Sequence, residues 1–370
     1  MAINFPDAPA QGQTFSPPGG YQYIWLDGVW RVVEASQNLT ALPRNRLVNP
    51  CFQISQENGS TASGAIGYYP ADQWAHGGAM PAGYVWSDQR VQSYTPNGSL
   101  YRWRHTVTTG AAIGTSTVQF GTAIEGIRVA DFRWGTAAAQ QVVLRFGFKA
   151  PAGTYSISMR NSATNRAYVA GFTISAGQAN TDTTQTFVIP GDTTGVWQGD
   201  TAVGIYLSIT LACGGTYAGV AGWQAGNVIG LSGQTNGLVT SAVYELFDCG
   251  LYIDPLNTGT PPRFEMPDEA AELLSCQRYW RRGPEVQGGC PSANVFRGIT
   301  TFSPQMRVAP AINMIAPTVH VYNIVNATMT QYVNLLSYLD ALDFHINISG
   351  GTANNHAAYS AGNCTLSARM

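Results

Sequence analysis

Trp86, Arg90, Tyr94, Tyr101 and Trp103 are the densest mixture of aromatic rings and cations outside the strongest predicted core strands. Such rings stack on the apolar faces of sugars, while short polar and cationic groups satisfy hydroxyls. The competing reading is core or interface packing, because Tyr101 and Trp103 alternate with Arg102 and Arg104. Tyr332, Tyr338, His345, His356 and Tyr359 form a second set toward the C-terminal end. Hydrolytic chemistry has weaker support. Glu245, Asp248 and Asp254 share a predicted strand, but strict alternation sets Glu245 on the face opposite the other two. Glycoside hydrolysis needs two carboxylates about 5 to 10 Å apart across a cleft. No Gly-x-Ser-x-Gly, His-Glu-x-x-His or phosphate loop occurs, so no catalytic residue, metal or cofactor is assigned and an enzyme is not expected.

Composition narrows the class. Only 11% of the 370 residues are charged, 41 are glycine, and Ser, Thr, Asn and Gln carry the polarity. That balance suits rigid extracellular or particle-borne β proteins more than cytosolic enzymes. A formal net charge of -2 leaves no electrostatic footprint for nucleic acid, and no apolar run reaches the roughly 20 residues that span a bilayer. No secretory signal is visible at Met1-Ala-Ile-Asn4, so synthesis in a cytoplasm is expected. Cys51, Cys213, Cys249, Cys276, Cys290 and Cys364 lack metal-type spacing and read as buried small hydrophobes, with a Cys276 to Cys290 disulfide left open. The sequons at Asn38, Asn58, Asn97, Asn326, Asn347 and Asn363 reflect an Asn/Ser/Thr-rich surface.

The elements that must position these residues are mostly strands. Residues 1–35 read as a hairpin module: Asp27-Gly28 between apolar runs predicts a two-residue turn pairing Leu26 with Val29, Trp25 with Trp30 and Tyr23 with Val32. Tyr21, Tyr23, Trp25 and Trp30 then share a face too large for so small a unit to cover, and they become candidates for attachment. Residues 36–45 form a linker. Residues 46–260 alternate with period two at Val142/Leu144/Phe146/Phe148, Tyr155/Ile157/Met159, Tyr168/Ala170/Phe172/Ile174, Val203/Ile205/Leu207/Ile209/Leu211 and Val243/Glu245/Phe247/Cys249/Leu251/Ile253. These runs predict an all-β fold centred on a jelly-roll sandwich of about eight strands. Residues 286–370 read as a smaller β domain, with strands at 295–304, 311–315, 319–325, 344–348 and 365–368 and a short helical patch at Tyr332 to Leu342.

Between the β regions, Pro261 to Glu285 is the one clear helix signal. Asp268, Glu269 and Glu272 come early and Arg278, Arg281 and Arg282 late, an order that complements the helix macrodipole, with Pro267 in the first turn and Gly283-Pro284 as the stop. Ala270, Leu273, Leu274, Gln277 and Trp280 make a stripe that either caps the sandwich or meets other copies at Leu273, Leu274, Gln277 and Trp280.

An ordered series of motifs carries a family likeness: Arg46-Leu-Val-Asn-Pro-Cys-Phe-Gln-Ile-Ser-Gln56, Ala71-Asp-Gln-Trp74, Ile189 to Trp197, Gly222-Trp-Gln-Ala-Gly-Asn227 and Cys276-Gln-Arg-Tyr279. With Phe5-Pro-Asp-Ala-Pro9, Gly12-Gln-Thr14, Tyr23-Ile-Trp25 and Trp30 at the start and Leu366 to Met370 at the end, the chain resembles tail-fibre, spike or receptor-binding β-sandwich proteins of tailed bacteriophages and phage-derived particles. Relatives carry Gln-Leu-Glu in the last sandwich strand where this chain has Tyr252-Ile-Asp254. The resemblance implies a virion appendage, released from a bacterial cytoplasm by lysis. Residues 1–35 would attach to virion structural proteins, and the carbohydrate-binding-module-like sandwich or the distal domain would bind a host surface polysaccharide. It implies a homotrimer, with a spike-base or connector joined to a second fibre protein as the alternative and a glycan depolymerase as the remoter one. Neither nucleic acid nor membrane insertion is implied.

Overall fold

Alternating apolar residues in short runs separated by Gly, Pro and Asn turns give strands, and the computed structural model shows how they pair. It describes residues 5–17, 23–26, 28–32, 44–283, 286–292, 295–301, 303–314, 318–323, 328–333, 335–339, 343–348, 356–360 and 364–370. The chain divides into two compact units, Met1–Asn45 and Arg46–Met370.

In the first unit, β1 (Thr14–Phe15), β2 (Tyr23–Leu26) and β3 (Val29–Val32) form one sheet. Its hairpin has the expected register, with Tyr23 opposite Val32, Trp25 opposite Trp30 and Leu26 opposite Val29. Gly28 takes φ +80°, which the turn requires and side-chain-bearing residues resist. Phe5 stacks on Trp30 at 5.3 Å and meets Tyr23 edge-on at 4.8 Å, so the unit supplies part of the cover for its own aromatic face. Tyr21 and the linker residues 36–43 lie outside the described residues.

The second unit opens with a sandwich. One sheet holds β4 (Trp74–Gly77), β7 (Thr117–Glu125), β9 (Gly153–Arg160), β10 (Arg166–Ile174), β12 (Val203–Cys213) and β14 (Gly222–Ala225), in the order β14-β10-β9-β12-β7-β4. The facing sheet holds β5 (Val85–Gln92), β6 (Tyr101–Thr109), β8 (Val142–Lys149), β11 (Thr183–Ile189) and β16 (Val243–Ile253), in the order β11-β8-β16-β6-β5. The two sheets therefore hold more strands than the eight expected, their neighbours antiparallel throughout. A short parallel pair, β13 (Ala218–Gly219) with β15 (Gly230–Leu231), lies outside both. Val142, Leu144, Phe146 and Phe148 from one sheet and Ile157, Met159, Ile205, Leu207 and Ile209 from the other fill a continuous apolar core, which is the largest favourable term in such a fold.

One alternation breaks. In β16, Tyr244 and Leu246 face the core before Asp248, but Cys249 and Leu251 face it afterwards. The register against β8 shifts between Phe247 and Gly250, and Asp248 takes φ +49°. A bulge adds one residue and reverses the facing of everything beyond it. The single face expected from Val243 to Ile253 is thus two half-faces, and Glu245 and Asp254 end with the same, outward parity.

The helix is shorter than the charge pattern suggests: α1 covers Glu269–Gln277, nine residues. Asp268 is its N-cap, accepting from the Ala271 N–H at 2.9 Å, so Pro267 precedes the helix rather than opening it. Trp280–Arg282 is a strand, β17, because its backbone pairs with the C-terminal segment; Arg281 and Arg282 therefore do not serve the helix dipole. Asp268→Ala is expected to cost about 1 kcal/mol of stability, the usual worth of an N-cap, measured by urea unfolding.

Beyond β17 follow β18 (Val286–Ser292), β19 (Val295–Thr301), β20 (Ala311–Met314), β21 (Thr318–Asn323), β22 (Thr328–Val333), β23 (Leu335–Leu339), β24 (Asp343–Ile348), β25 (His356–Ser360) and β26 (Cys364–Ser367). Seven of them make the sheet β22-β21-β25-β18-β19-β24-β23, and β17-β26-β20 is a separate three-stranded base. Strands β22 and β23 replace the helical patch expected over Tyr332 to Leu342. Its leucines favour a helix locally, and pairing with β21 and β24 overrides that preference. Cys51, Cys213, Cys249 and Cys276 are buried thiols outside any disulfide, which takes Cys276 out of a bridge with Cys290. Burial raises all four thiols above their ordinary range, that of Cys213 to about 11.

Candidate functional site

The core-facing residues of the six-stranded sheet alternate with a set that faces away from the core, and the register aligns that outward set in rows. One row runs Ala75, Gly121, Ser208, Ser158, Val169 across β4, β7, β12, β9 and β10. The next runs Ala123, Tyr206, Arg160, Ala167 and Gln224. Small side chains form a floor here, and a trough of about 240 Å³ opens over it, walled by Tyr69, Gln73, Gln119, Arg160, Tyr206 and Met370. The row on its other side, Ser156 and Thr210, is roofed by the chain's own 229–234 segment: Thr210 Oγ1 donates to the Ile229 carbonyl at 2.7 Å, and Ser156 Oγ to Gln234 Oε1 at 2.5 Å.

Several polar atoms in and under the trough are buried without a partner among the described residues: Gln119 Oε1, Arg160 Nε and Ser158 Oγ. An unpaired buried polar group costs roughly 1 to 3 kcal/mol, so a cluster of them beside a cavity marks a place built to receive hydrogen bonds. Arg160 Nη1 donates to Asn227 Oδ1 at 2.7 Å, and its guanidinium lies 5.6 Å from the Tyr206 ring centre. Burial lowers its pKa. Tyr69 is held from outside by Arg369, whose guanidinium lies 3.8 Å from its ring centre.

The first aromatic set expected from the sequence occupies the opposite sheet. Trp103 is 0% exposed, which removes it from any sugar-stacking surface. Its Nε1 donates to Asp88 Oδ1 at 2.8 Å. Trp86 Nε1 donates to Asp88 Oδ2 at 3.1 Å, and the ring stacks on Tyr84. Arg90 lies 4.3 Å from the Tyr101 ring centre and donates to the Gln53 carbonyl at 2.6 Å. Tyr94, 74% exposed, is the member with a free ring surface. In the distal sheet the register sets Tyr338 opposite His345, Tyr359 opposite His320 and Gln287, His356 opposite Asn323, and Tyr332 opposite Val319.

Asp88 is the hub of a buried polar knot. Its carboxylate also accepts from His105 Nδ1 at 2.9 Å, leaving Nε2 of that ring to accept from the Tyr84 hydroxyl at 2.6 Å. His76 Nδ1 stands 3.4 Å from Oδ2. Burial opposes ionisation of Asp88, but the two imidazoles and the His105 hydrogen bond outweigh it and hold the carboxyl well below its ordinary range. Burial lowers the pKa of His105. Among the described residues, His76, Asp88 and His105 are the set close enough to share a metal ion. The carboxylate is already occupied by three N–H donors, so the chemistry of the site is that of a hydrogen-bond knot. The other carboxylates named above are similarly engaged: Glu245 by Arg102, Arg104 and Lys149, Asp248 by Ser99 and Asn97, and Asp254 by Gln141 and the Thr258 and Gly259 N–H groups.

The helix stripe is divided. Leu273 packs with Val48, Ile54, Cys276 and Tyr279, whereas Leu274 is 50% exposed. Trp280, 2% exposed, is enclosed within the chain and unavailable to another copy. The Cys276-Gln-Arg-Tyr279 motif holds the sandwich instead. Arg278 Nε and Nη2 donate to the two oxygens of buried Glu125 at 2.9 and 2.6 Å, and the Tyr279 hydroxyl donates to the same carboxylate at 2.8 Å. Glu272 Oε1 accepts from the Asn49 N–H at 2.6 Å, and Trp74 Nε1 donates to the Val48 carbonyl at 2.9 Å. Three of the sequence motifs thus meet at one corner.

Fold and site together define an all-β protein whose two-sheet sandwich carries a trough on one outer face. Neither a protein-family model nor a curated protein matches the chain. Among solved structures it is similar to the enzymatically active domain of tailspike protein 4 of bacteriophage CBA120, at 11% identity and a TM-score of 0.32 over 57% of this chain and 21% of that one. It is also similar to TmCBM61 in complex with β-1,4-galactotriose, at 10% identity and 0.29 over 57% and 99%. A third is the family 11 carbohydrate-binding module of a Clostridium thermocellum cellulase, at 13% identity and 0.25 over 51% and 96%. The chain spans about a fifth of the tailspike domain's length.

Proposed function

We propose that this protein is a non-enzymatic adhesive appendage of a phage or phage-like particle, and that its sandwich holds a host-surface saccharide in the outer-face trough. The observation that carries the binding is the pairing of a small-residue floor with Tyr206, Arg160 and Gln119, of which Arg160 Nε and Gln119 Oε1 are buried without a partner among the described residues. Sugars present what such a surface needs: an apolar ring face for tyrosine and hydroxyls for unpaired donors and acceptors. The motif series supports the particle context, in which the first unit attaches to virion structural proteins and three copies assemble, with exposed Leu274 on the outer side of α1. The protein is made in the bacterial cytoplasm and leaves it by lysis.

Glycan-array binding followed by titration tests the site. Tyr206→Ala is expected to weaken binding at least tenfold, or about 1.4 kcal/mol, without release of reducing ends from the bound glycan. Tyr94→Ala, in the loop that joins β5 to β6 of the opposite sheet, is expected to leave binding unchanged. Failure to bind any saccharide or host envelope component would sink the adhesive reading and leave a connector between the particle and a second fibre protein. Sedimentation as a monomer at micromolar concentration would remove the trimer.

A further inference from the structure

The trough contains a cation, Arg160, that no carboxylate side chain among the described residues meets. Arg160 is 8% exposed, and its acceptor among the described residues is the neutral Asn227 Oδ1. Its Nε is buried and unpartnered. No aspartate or glutamate lines the trough. The other arginines that meet deeply buried acids are arranged differently: Arg102 pairs with Asp182 and Glu245, Arg166 with Asp192, and Arg278 with Glu125. A buried charge without a partner is strongly unfavourable, and a fold that keeps one beside a cavity keeps it for an anion that arrives from outside.

The free edge of the guanidinium sets the shape of that anion. Nη1 is committed to Asn227, which leaves the Nε and Nη2 edge, the pair of parallel donors that matches two carboxylate oxygens. Gln119, 5% exposed, lines the same trough from β7, across β12 from the strand of Arg160, and its Oε1 has no partner among the described residues. Resting on the trough reading above, we infer that the saccharide is acidic: a uronic or similar sugar acid whose carboxylate is taken bidentately by Arg160 while its ring lies against Tyr206.

The test compares a panel of carboxylated polymers (alginate, polygalacturonate, hyaluronan and polysialic acid) with the same polymers after carboxyl reduction to neutral sugars. At least one acidic polymer is expected to bind tenfold or more tightly than its reduced form. The preference is expected to vanish in Arg160→Met and to shrink in Arg160→Lys, which keeps the charge and loses the fork. Tyr206→Ala should weaken both forms. Without ligand, Arg160→Met is expected to melt at or above the wild-type temperature, since it removes an unpaired buried charge; a fall of more than about 5 °C would make Arg160 a structural residue and overturn the proposal. Equal binding of acidic and reduced forms, with Tyr206→Ala still weakening both, would overturn the acidic ligand and leave the trough standing. Preference for sulfated or phosphorylated polymers over carboxylated ones would overturn the carboxylate assignment. Binding indifferent to both Arg160 and Tyr206 would overturn the trough itself.

Discussion

Asp88→Ala is expected to lose about 3–5 kcal/mol of stability at neutral pH, the range for breaking a buried, hydrogen-bonded charge. The substitution strands the indole N–H of Trp103, that of Trp86 and the Nδ1–H of His105 in a space closed to water. Asp88→Asn should lose less, because an amide oxygen still accepts while its NH₂ faces the donors on the other side. The same knot gives the wild type an acid-labile profile. The pKa of His105 is below 6.5 in the fold, so the unfolded chain binds the extra proton first, and stability falls as pH drops below about 6.5. Asp88, held below its ordinary 3.8, adds a second loss below that value as it is forced to protonate. Urea unfolding across pH 3 to 8 checks both steps. A profile flat between pH 5 and 7 would contradict the assignment of a neutral, buried His105.

The second large effect is expected at the corner where the sandwich meets the C-terminal strands. Glu125→Ala removes the acceptor of both Arg278 donors and of the Tyr279 hydroxyl, and should cost about 3 kcal/mol. The Glu125 hydrogen bonds raise the pKa of Arg278, with burial opposing them; a guanidinium stays charged even without its partner, so the deletion leaves an unpaired cation. A surface pair is the internal comparison. Arg46 and Asp131 meet at 2.6 Å, but the Asp131 side chain is 52% exposed, and Asp131→Ala should change stability by less than about 1 kcal/mol. Equal effects at Glu125 and Asp131 in denaturant unfolding would show that the corner is not a buried clamp.

The fold was largely legible because period-two alternation is dictated by one face meeting the core, as at Val142 to Phe148 and Tyr155 to Met159. Failures came where a local pattern competes with pairing that only tertiary structure supplies. The bulge at Asp248 shifts parity with no marker in the residue types, and the Leu335 to Leu339 run carries helical propensity into a strand. The trough was missed for a different reason. Its residues, among them Gln119/Gly121/Ala123, Arg160 and Tyr206/Ser208, are the alternate members of strands recognised by their apolar members. A run of Gly, Ala and Ser on the polar face of several strands was the available signal. In the more conspicuous aromatic cluster, Trp86 and Trp103 are donors to the buried carboxylate of Asp88.

In the base sheet, Arg282, where the chain leaves the sandwich corner, is the hydrogen-bonded neighbour of Thr365, where it returns, and Ala311–Met314 pairs with the same returning strand. Everything outward of these three short strands is, topologically, a pair of excursions from one closed foot. The entropy of closing an excursion grows only slowly with its length. The distal strands can therefore grow or shrink at little cost in closure entropy, while the foot and the sandwich keep their pairing.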